Sequence, residues 1–239
     1  MSVVMKYVTD EVQASNFLTN LIKKMKKVFL SFWLLLAMGM VTSVFNSCSK
    51  EDDPTDLINP TYDEGVIING VKWATRNVAK MGTFANKPED AGMFYQWNRK
   101  SAWSATGNLT GWNTENPSGE VWEKANDPSP AGWRVPTLNE IKSLLDPNKV
   151  SSEWATQNGI NGRRFTDKET GNSIFLPAVG SRNYEMGQLN NAGFSGRYWC
   201  GTQSDSSSAY FIDFSSENAE WTGFYYRTNG FSIRSVAEE

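Results

Sequence analysis

Ala209-Tyr210-Phe211-Ile212-Asp213-Phe214 decides how the folded part of this chain is read. Tyr210, Ile212 and Phe214 alternate with Phe211 and Asp213, the two-residue period of a half-buried strand. Arg197-Tyr198-Trp199-Cys200 before it and residues 231–236 after it have the same character. The three runs are expected to close a domain as strands, with residues 224–227 pairing with 231–236 across Thr228-Asn229-Gly230.

Upstream, the strongest helical signal is Pro136-Thr137-Leu138-Asn139-Glu140-Ile141-Lys142-Ser143-Leu144-Leu145. Thr137 and Glu140 have capping-box spacing, and Leu138, Ile141, Leu144 and Leu145 share one helical face. Asp146-Pro147 ends it. Near the start of the domain, Val66-Ile67-Ile68 and Val71-Lys72-Trp73 flank Asn69-Gly70, a strong hairpin signal. Met93-Phe94-Tyr95-Gln96-Trp97 reads as strand or short helix. Residues 98–130 show no period, and 148–196 read mostly as loop, broken by Ile174-Phe175-Leu176. The sum is an α+β class: short antiparallel strands, one or two helices and long aromatic-rich loops.

The N-terminal third is a different kind of sequence. Lys23-Lys24-Met25-Lys26-Lys27 precedes an apolar run over residues 28–44, then Phe45-Asn46-Ser47-Cys48. A basic flank, a short apolar core and small residues before a cleavage point describe a secretory signal. An uncleaved transmembrane anchor is the competing reading. The run is marginal against the roughly 20 apolar residues that a span needs. A buried core helix fits less well, because every face is apolar and lysines crowd its start. The segment resembles a bacterial lipoprotein signal, in which the cysteine after a small residue carries the lipid, here Cys48. Ser49-Lys50-Glu51-Asp52-Asp53 resembles the acidic export tag of surface lipoproteins of the Bacteroides group. The expected organisation is an over-extended start over 1–24, a signal over 25–47, a lipidated acidic tether over 48–65 and a domain over 66–237. The implied localisation is the outer membrane, exposed on the cell surface and held by the lipid.

Composition closes several doors. Removing residues 1–47 takes away five of the 23 basic and two of the 26 acidic residues, leaving a net charge near −6. That sign disfavours nucleic acid, whose binding needs clustered cations. There is no histidine, so neither a Ser-His-Asp nor a Cys-His nucleophile arrangement is available, nor a histidine metal site. No nucleotide-binding glycine motif or Cys-x-x-Cys pair occurs. No cofactor or metal is expected. A carboxylate-only enzyme stays formally open, with nothing to single out its pair.

Several stretches carry a family resemblance. Ile68-Asn69-Gly70-Val71-Lys72-Trp73-Ala74-Thr75-Arg76-Asn77-Val78, Phe94-Tyr95-Gln96-Trp97-Asn98, Ala131-Gly132-Trp133-Arg134-Val135-Pro136-Thr137 and Phe175-Leu176-Pro177-Ala178-Val179-Gly180-Ser181-Arg182 are similar, in order, to the Fibrobacter succinogenes major paralogous domain family. Tyr198-Trp199 and Phe231-Ser232-Ile233-Arg234-Ser235-Val236 complete the likeness. It implies a C-type-lectin-like fold related to that of formylglycine-generating enzymes. Those relatives use a cysteine pair for copper, and only Cys200 remains here, which removes the enzymatic analogy. The calcium-dependent lectin motifs Glu-Pro-Asn and Trp-Asn-Asp are absent. Where the family has two cysteines this chain has Ser129 and Ser235, which implies that the two positions lie within bridging distance.

The candidate residues follow. Trp73, Trp97, Trp133, Trp199 and Phe175 read as packing, and Cys200 as a small buried hydrophobe. Arg134 and Arg234 read as ties from strands to loop carbonyls, in a motif with Trp133, Pro136, Thr137 and Glu140. Trp103, Trp112 and Trp122, spaced by Asn, Gly and Thr, read either as a sugar-stacking surface or as pins for a long loop. Arg182, Asn183, Tyr184 and Asn190 form the alternative binding patch, which Trp221 and Tyr225 would extend. The expected function is non-catalytic adhesion or recognition of glycan or protein ligands at the cell surface. The alternative is a structural subunit of a surface appendage.

Overall fold

Residues 59–238 are described by a computed structural model. Cys48, the signal segment and most of the tether lie outside the described residues. The Asn69-Gly70 signal forms a hairpin of β1 (Val66–Ile68) and β2 (Val71–Trp73), in register Val66 to Trp73. Both turn residues have positive φ, 45° and 81°, as a two-residue turn between right-twisted strands requires. β3 (Met93–Tyr95) pairs with β4 (Ala102–Ser104), and β5 (Trp133–Arg134) leads into α1 (Leu138–Leu144). Thr137 and Glu140 close the capping box, while Ile141 and Leu144 are buried.

Three long strands then form where loop is expected. β6 (Val150–Gln157), β7 (Ile160–Asp167) and β8 (Ser173–Pro177) make an antiparallel sheet in that order. Its first turn is Asn158-Gly159, with φ 48° and 82°. β9 (Ser181–Arg182) pairs with β10 (Leu189–Asn190). β11 (Ser195–Gln203), β12 (Ser208–Ser215) and β13 (Ala219–Tyr226) form the largest sheet, and β14 (Val236–Ala237) inserts between β2 and β5. Among the described residues no helix is long and apolar enough to cross a membrane.

The α+β, C-type-lectin-like expectation is therefore corrected. Among the described residues there are fourteen strands and a single α-helix of seven residues, a mostly β architecture closer to a β-sandwich. The difference arises in the 150–177 region. β6 buries little beyond Val150, and β7 is mostly polar, so their apolar period is too weak to read.

The pairing of residues 224–227 with 231–236 is also corrected. β13 pairs with β12 along its length, while Phe231 bridges Tyr95 and Ser232 bridges Tyr198. Arg227 explains the departure. Its guanidinium is buried over the Trp97 ring at 4.3 Å and donates to the carbonyls of Gly119 (2.8 Å), Pro117 (3.2 Å), Ser208 and Asp205. Those bonds draw the chain inward, and residues 227–236 are buried throughout.

The alternation of β11 and β12 divides the interior. Tyr198, Cys200, Ile212 and Phe214 pack with Ile68, Trp73, α1, Phe165 and Leu176. Trp199, Ala209 and Phe211 face the other way, against Tyr95, Trp97, Trp122, Phe231 and Ile233. Trp133 packs edge-on against Phe84. Cys200 is wholly buried, and burial pushes its thiol up to about 11.

Two polar devices close the body. Arg234, fully buried, donates to Asn77 Oδ1 (2.8 and 3.0 Å) and to the carbonyls of Phe175 (3.0 Å), Ala74 (3.2 Å) and Thr75. Asp63, from the end of the expected tether, accepts from the Gly65 and Thr75 amides, the Thr75 hydroxyl and Arg76 Nε. Burial pushes the Asp63 carboxyl up, but the amides of Thr75 and Gly65, with Arg76 and the Thr75 hydroxyl, outweigh it and keep the group below its ordinary value.

Ser129 and Ser235 converge, their hydroxyls hydrogen-bonded at 2.7 Å. A Ser129→Cys, Ser235→Cys variant is expected to oxidise spontaneously and to gain about 2–4 kcal/mol in denaturant unfolding over its reduced form. Failure to oxidise, or oxidation without stabilisation, contradicts that geometry. Asp63 generates a second expectation. Because its folded-state pKa is depressed, its contribution is complete above the unfolded carboxylate value and fades as pH falls through the folded one. Asp63→Asn should therefore be less stable than the parent at neutral pH, and the gap should narrow below about pH 4 in thermal melts.

Candidate functional site

The strand β4 carries Trp103 opposite the buried Phe94. The chain then loops out and returns with Trp112 beside it, ring centroids 4.8 Å apart at 49°. Trp112 is seated by what its neighbours lack. A Cβ on Gly187 would stand 2.5 Å from the indole, and one on Gly230 2.8 Å from it. Its Nε1 donates to the Tyr184 carbonyl at 3.2 Å, and the Tyr184 ring meets Tyr226 edge-on at 4.9 Å. Two aromatic pairs, Trp103 with Trp112 and Tyr184 with Tyr226, are thus joined at one surface through the bond from the Trp112 indole to the Tyr184 carbonyl. Both tryptophans are half-buried, while Tyr184 and Tyr226 are 41% and 50% exposed and nearby Met186 67%.

Arg182 makes this surface without being part of it. It is 1% exposed and binds the Ser104 carbonyl through Nε (3.1 Å) and Nη2 (2.9 Å). It also donates to the carbonyls of Thr106 (2.9 Å) and Gly187 (3.0 Å). One planar fork therefore pins the Trp103 loop to the Tyr184 turn. Asn183 shapes that turn, its Oδ1 accepting from the amides of Met186 (3.0 Å) and Gln188 (3.3 Å). The Tyr184 hydroxyl donates to Glu185, and that bond raises its pKa above the ordinary tyrosine value. Tyr225 packs instead on Phe211 and Phe231, with the Arg197 guanidinium 4.3 Å above its ring.

The residues offered as alternative patches thus divide in a new way. Trp103 and Trp112 join Tyr184 through Arg182 and Asn183. Trp122 does not. It is buried against Trp97 at 6.0 Å, its Nε1 given to the Asn126 carbonyl, because its backbone bridges to Gly201. Trp221 lies apart as well, packed on Tyr210 and under Lys142, whose ammonium is 4.5 Å from the ring. A register shift in β13 between the Trp221 and Tyr225 pairings separates their environments. Asn190 is half-exposed and pairs through its backbone with Ser181, its carbonyl lying where a Cβ on Gly180 would be 2.1 Å away.

Arg134 clamps Glu140 with two bonds, 2.7 and 2.9 Å, beside the capping box. Tyr226 and Met186 escape the sequence reading. The signal for Tyr226 was the run Phe224-Tyr225-Tyr226, in which both strand parities are aromatic. Among the described residues no three His, Cys, Asp or Glu side chains converge as a metal site.

Arg182→Lys is expected to lower stability by about 1–3 kcal/mol, since one ammonium cannot reach all three carbonyls. Amide hydrogen exchange should rise selectively over residues 104–112 and 183–188. Uniform exchange across the domain would contradict a local tie. No family model, curated protein or solved structure matches this chain.

Proposed function

We propose that this chain is a surface lipoprotein, attached to the outer membrane through Cys48, whose β domain recognises glycan or protein ligands without catalysis. The observation that carries the reading is the aromatic surface of Trp103, Trp112, Tyr184 and Tyr226. Ring faces of that kind meet the CH faces of sugars or the apolar side chains of a protein, and neighbouring amides take hydroxyls. Arg182 and Asn183 fix the loops beneath it, so little order has to be created on binding. The acidic tether would hold the domain clear of the membrane, and the resemblance to the major paralogous domain family fits a surface role.

A second reading, a subunit of a surface appendage, has its own observation. The order β11-β12-β13 leaves one edge of β13 unpaired among the described residues, and Phe224 on that strand is 89% exposed. Exposed edges of this kind accept a strand from a sister subunit.

A glycan array probed with the full chain separates the two. Recognition predicts glycan signals that fall at least tenfold in a Tyr184→Ala, Tyr226→Ala variant whose thermal melt is unchanged. A silent array, with sister subunits co-purifying until Phe224→Ser is introduced, favours assembly instead.

A further inference from the structure

The segment that carries Trp103 begins at a tight turn. The Arg99 amide donates to the Gln96 carbonyl at 3.1 Å, and Asn98 takes φ 53°. The Asn98 side chain is buried and reaches across to the returning chain. Its Nδ2 donates to the Ser118 carbonyl at 2.8 Å, and its Oδ1 accepts from the Glu123 amide at 2.9 Å. Between these two segments lies a groove of about 430 Å³, within the size range of small-molecule sites.

The chemistry of its walls is specific. No aromatic ring lines it, and Arg99 and Lys100 stand against the single carboxylate of Glu123. Arg99 donates through Nη2 to the Glu115 carbonyl at 2.9 Å, but its Nε is buried with no partner. The residue itself is half-buried, and its guanidinium, with the Lys100 ammonium beside it, would meet an anion in the groove through charge-assisted bonds. Asn116 gives its Nδ2 to the Ser206 carbonyl at 2.8 Å, which fixes the amide and turns it into an acceptor for hydroxyls.

We infer that this groove binds the carboxylate of an acidic sugar. Arg99 and Lys100 take the carboxylate, while Asn116 and Glu123 accept from ring hydroxyls. The inference rests on the glycan reading above and names its ligand class. Groove and aromatic surface share their backbone: Trp103 is three residues beyond Lys100, and Trp112 four before Asn116. Even fully extended, four residues span about 14 Å, so one short oligosaccharide could reach both.

The test uses the full chain, titrated calorimetrically with trigalacturonate and with its neutral methyl ester. The acid should bind at least about tenfold more tightly than the ester, and the preference should shrink with added salt. Arg99→Gln should abolish the preference, and Lys100→Gln, at an exposed position with no fold to disturb, should reduce it. Tyr184→Ala with Tyr226→Ala should weaken acid and ester together. Equal affinity for acid and ester, or a preference that survives both cation variants, overturns the inference. So does displacement of trigalacturonate by an equal concentration of inorganic phosphate, which would make the groove a bare anion site. An array showing only neutral glycans overturns the acidic-sugar groove and leaves glycan recognition standing, whereas an array with no glycan at all removes both.

Discussion

Everything in this domain depends on two paired strands, β11 and β12, being buried on both faces. β11 and β12 send alternate side chains into two separate apolar clusters, Tyr198, Cys200, Ile212 and Phe214 on one side and Trp199, Ala209 and Phe211 on the other. The arrangement tolerates little change. A Cβ on Gly196 would stand 2.2 Å from the Phe214 ring, and Tyr198 stacks on that ring at 5.9 Å. A one-residue slip would exchange the two clusters. Indole N–H groups lock the layers, Trp199 to the Tyr95 carbonyl at 2.7 Å and Trp97 to the Cys200 carbonyl at 2.9 Å. Those bonds let these two indoles be buried with their donors paired.

What the sheet does not organise, buried arginines do. Arg182, Arg227 and Arg234 are each 1% exposed, and each spends its donors mainly on backbone carbonyls. Loops cannot satisfy their own carbonyls as ladders do, and an unmet buried acceptor costs about 1–3 kcal/mol. A guanidinium, planar and more weakly hydrated than an ammonium, meets several at once. Desolvation lowers the pKa of all three, which still stay charged because their starting value is so high. Irregular loops thereby acquire fixed shapes, and the aromatic surface is assembled from such loops.

The parts of the fold legible in the sequence were those with strong local signals. Asn69-Gly70 between apolar runs, the Thr137–Glu140 box and the alternation over Tyr210–Phe214 all correspond to elements in the structure. The β6–β7 hairpin was not read, although Asn158-Gly159 carries the same turn chemistry. Its strands bury too few apolar side chains for a period to appear. The path of residues 227–236 was illegible for another reason: it follows the long-range bonds of Arg227 and Arg234, which no local pattern records. The same holds for the candidate surface. Trp112 and Tyr184 are 72 residues apart and meet through an indole N–H and a carbonyl, while Trp122, in the same aperiodic stretch as Trp112, ends in the core.

The hydroxyl contact between Ser129 and Ser235 sets the terms on which this chain folds. A covalent bridge across 106 residues would shrink the denatured ensemble before folding began. Two hydroxyls meet only once the native structure exists, so the whole entropy of closing that loop falls on the folding reaction itself. In exchange, the described residues rely on no disulfide. No thiol among the described residues has to find a partner, and the sole cysteine there, Cys200, is sealed in the core as a protonated thiol. Among the described residues, therefore, no disulfide has to form before the native contacts do.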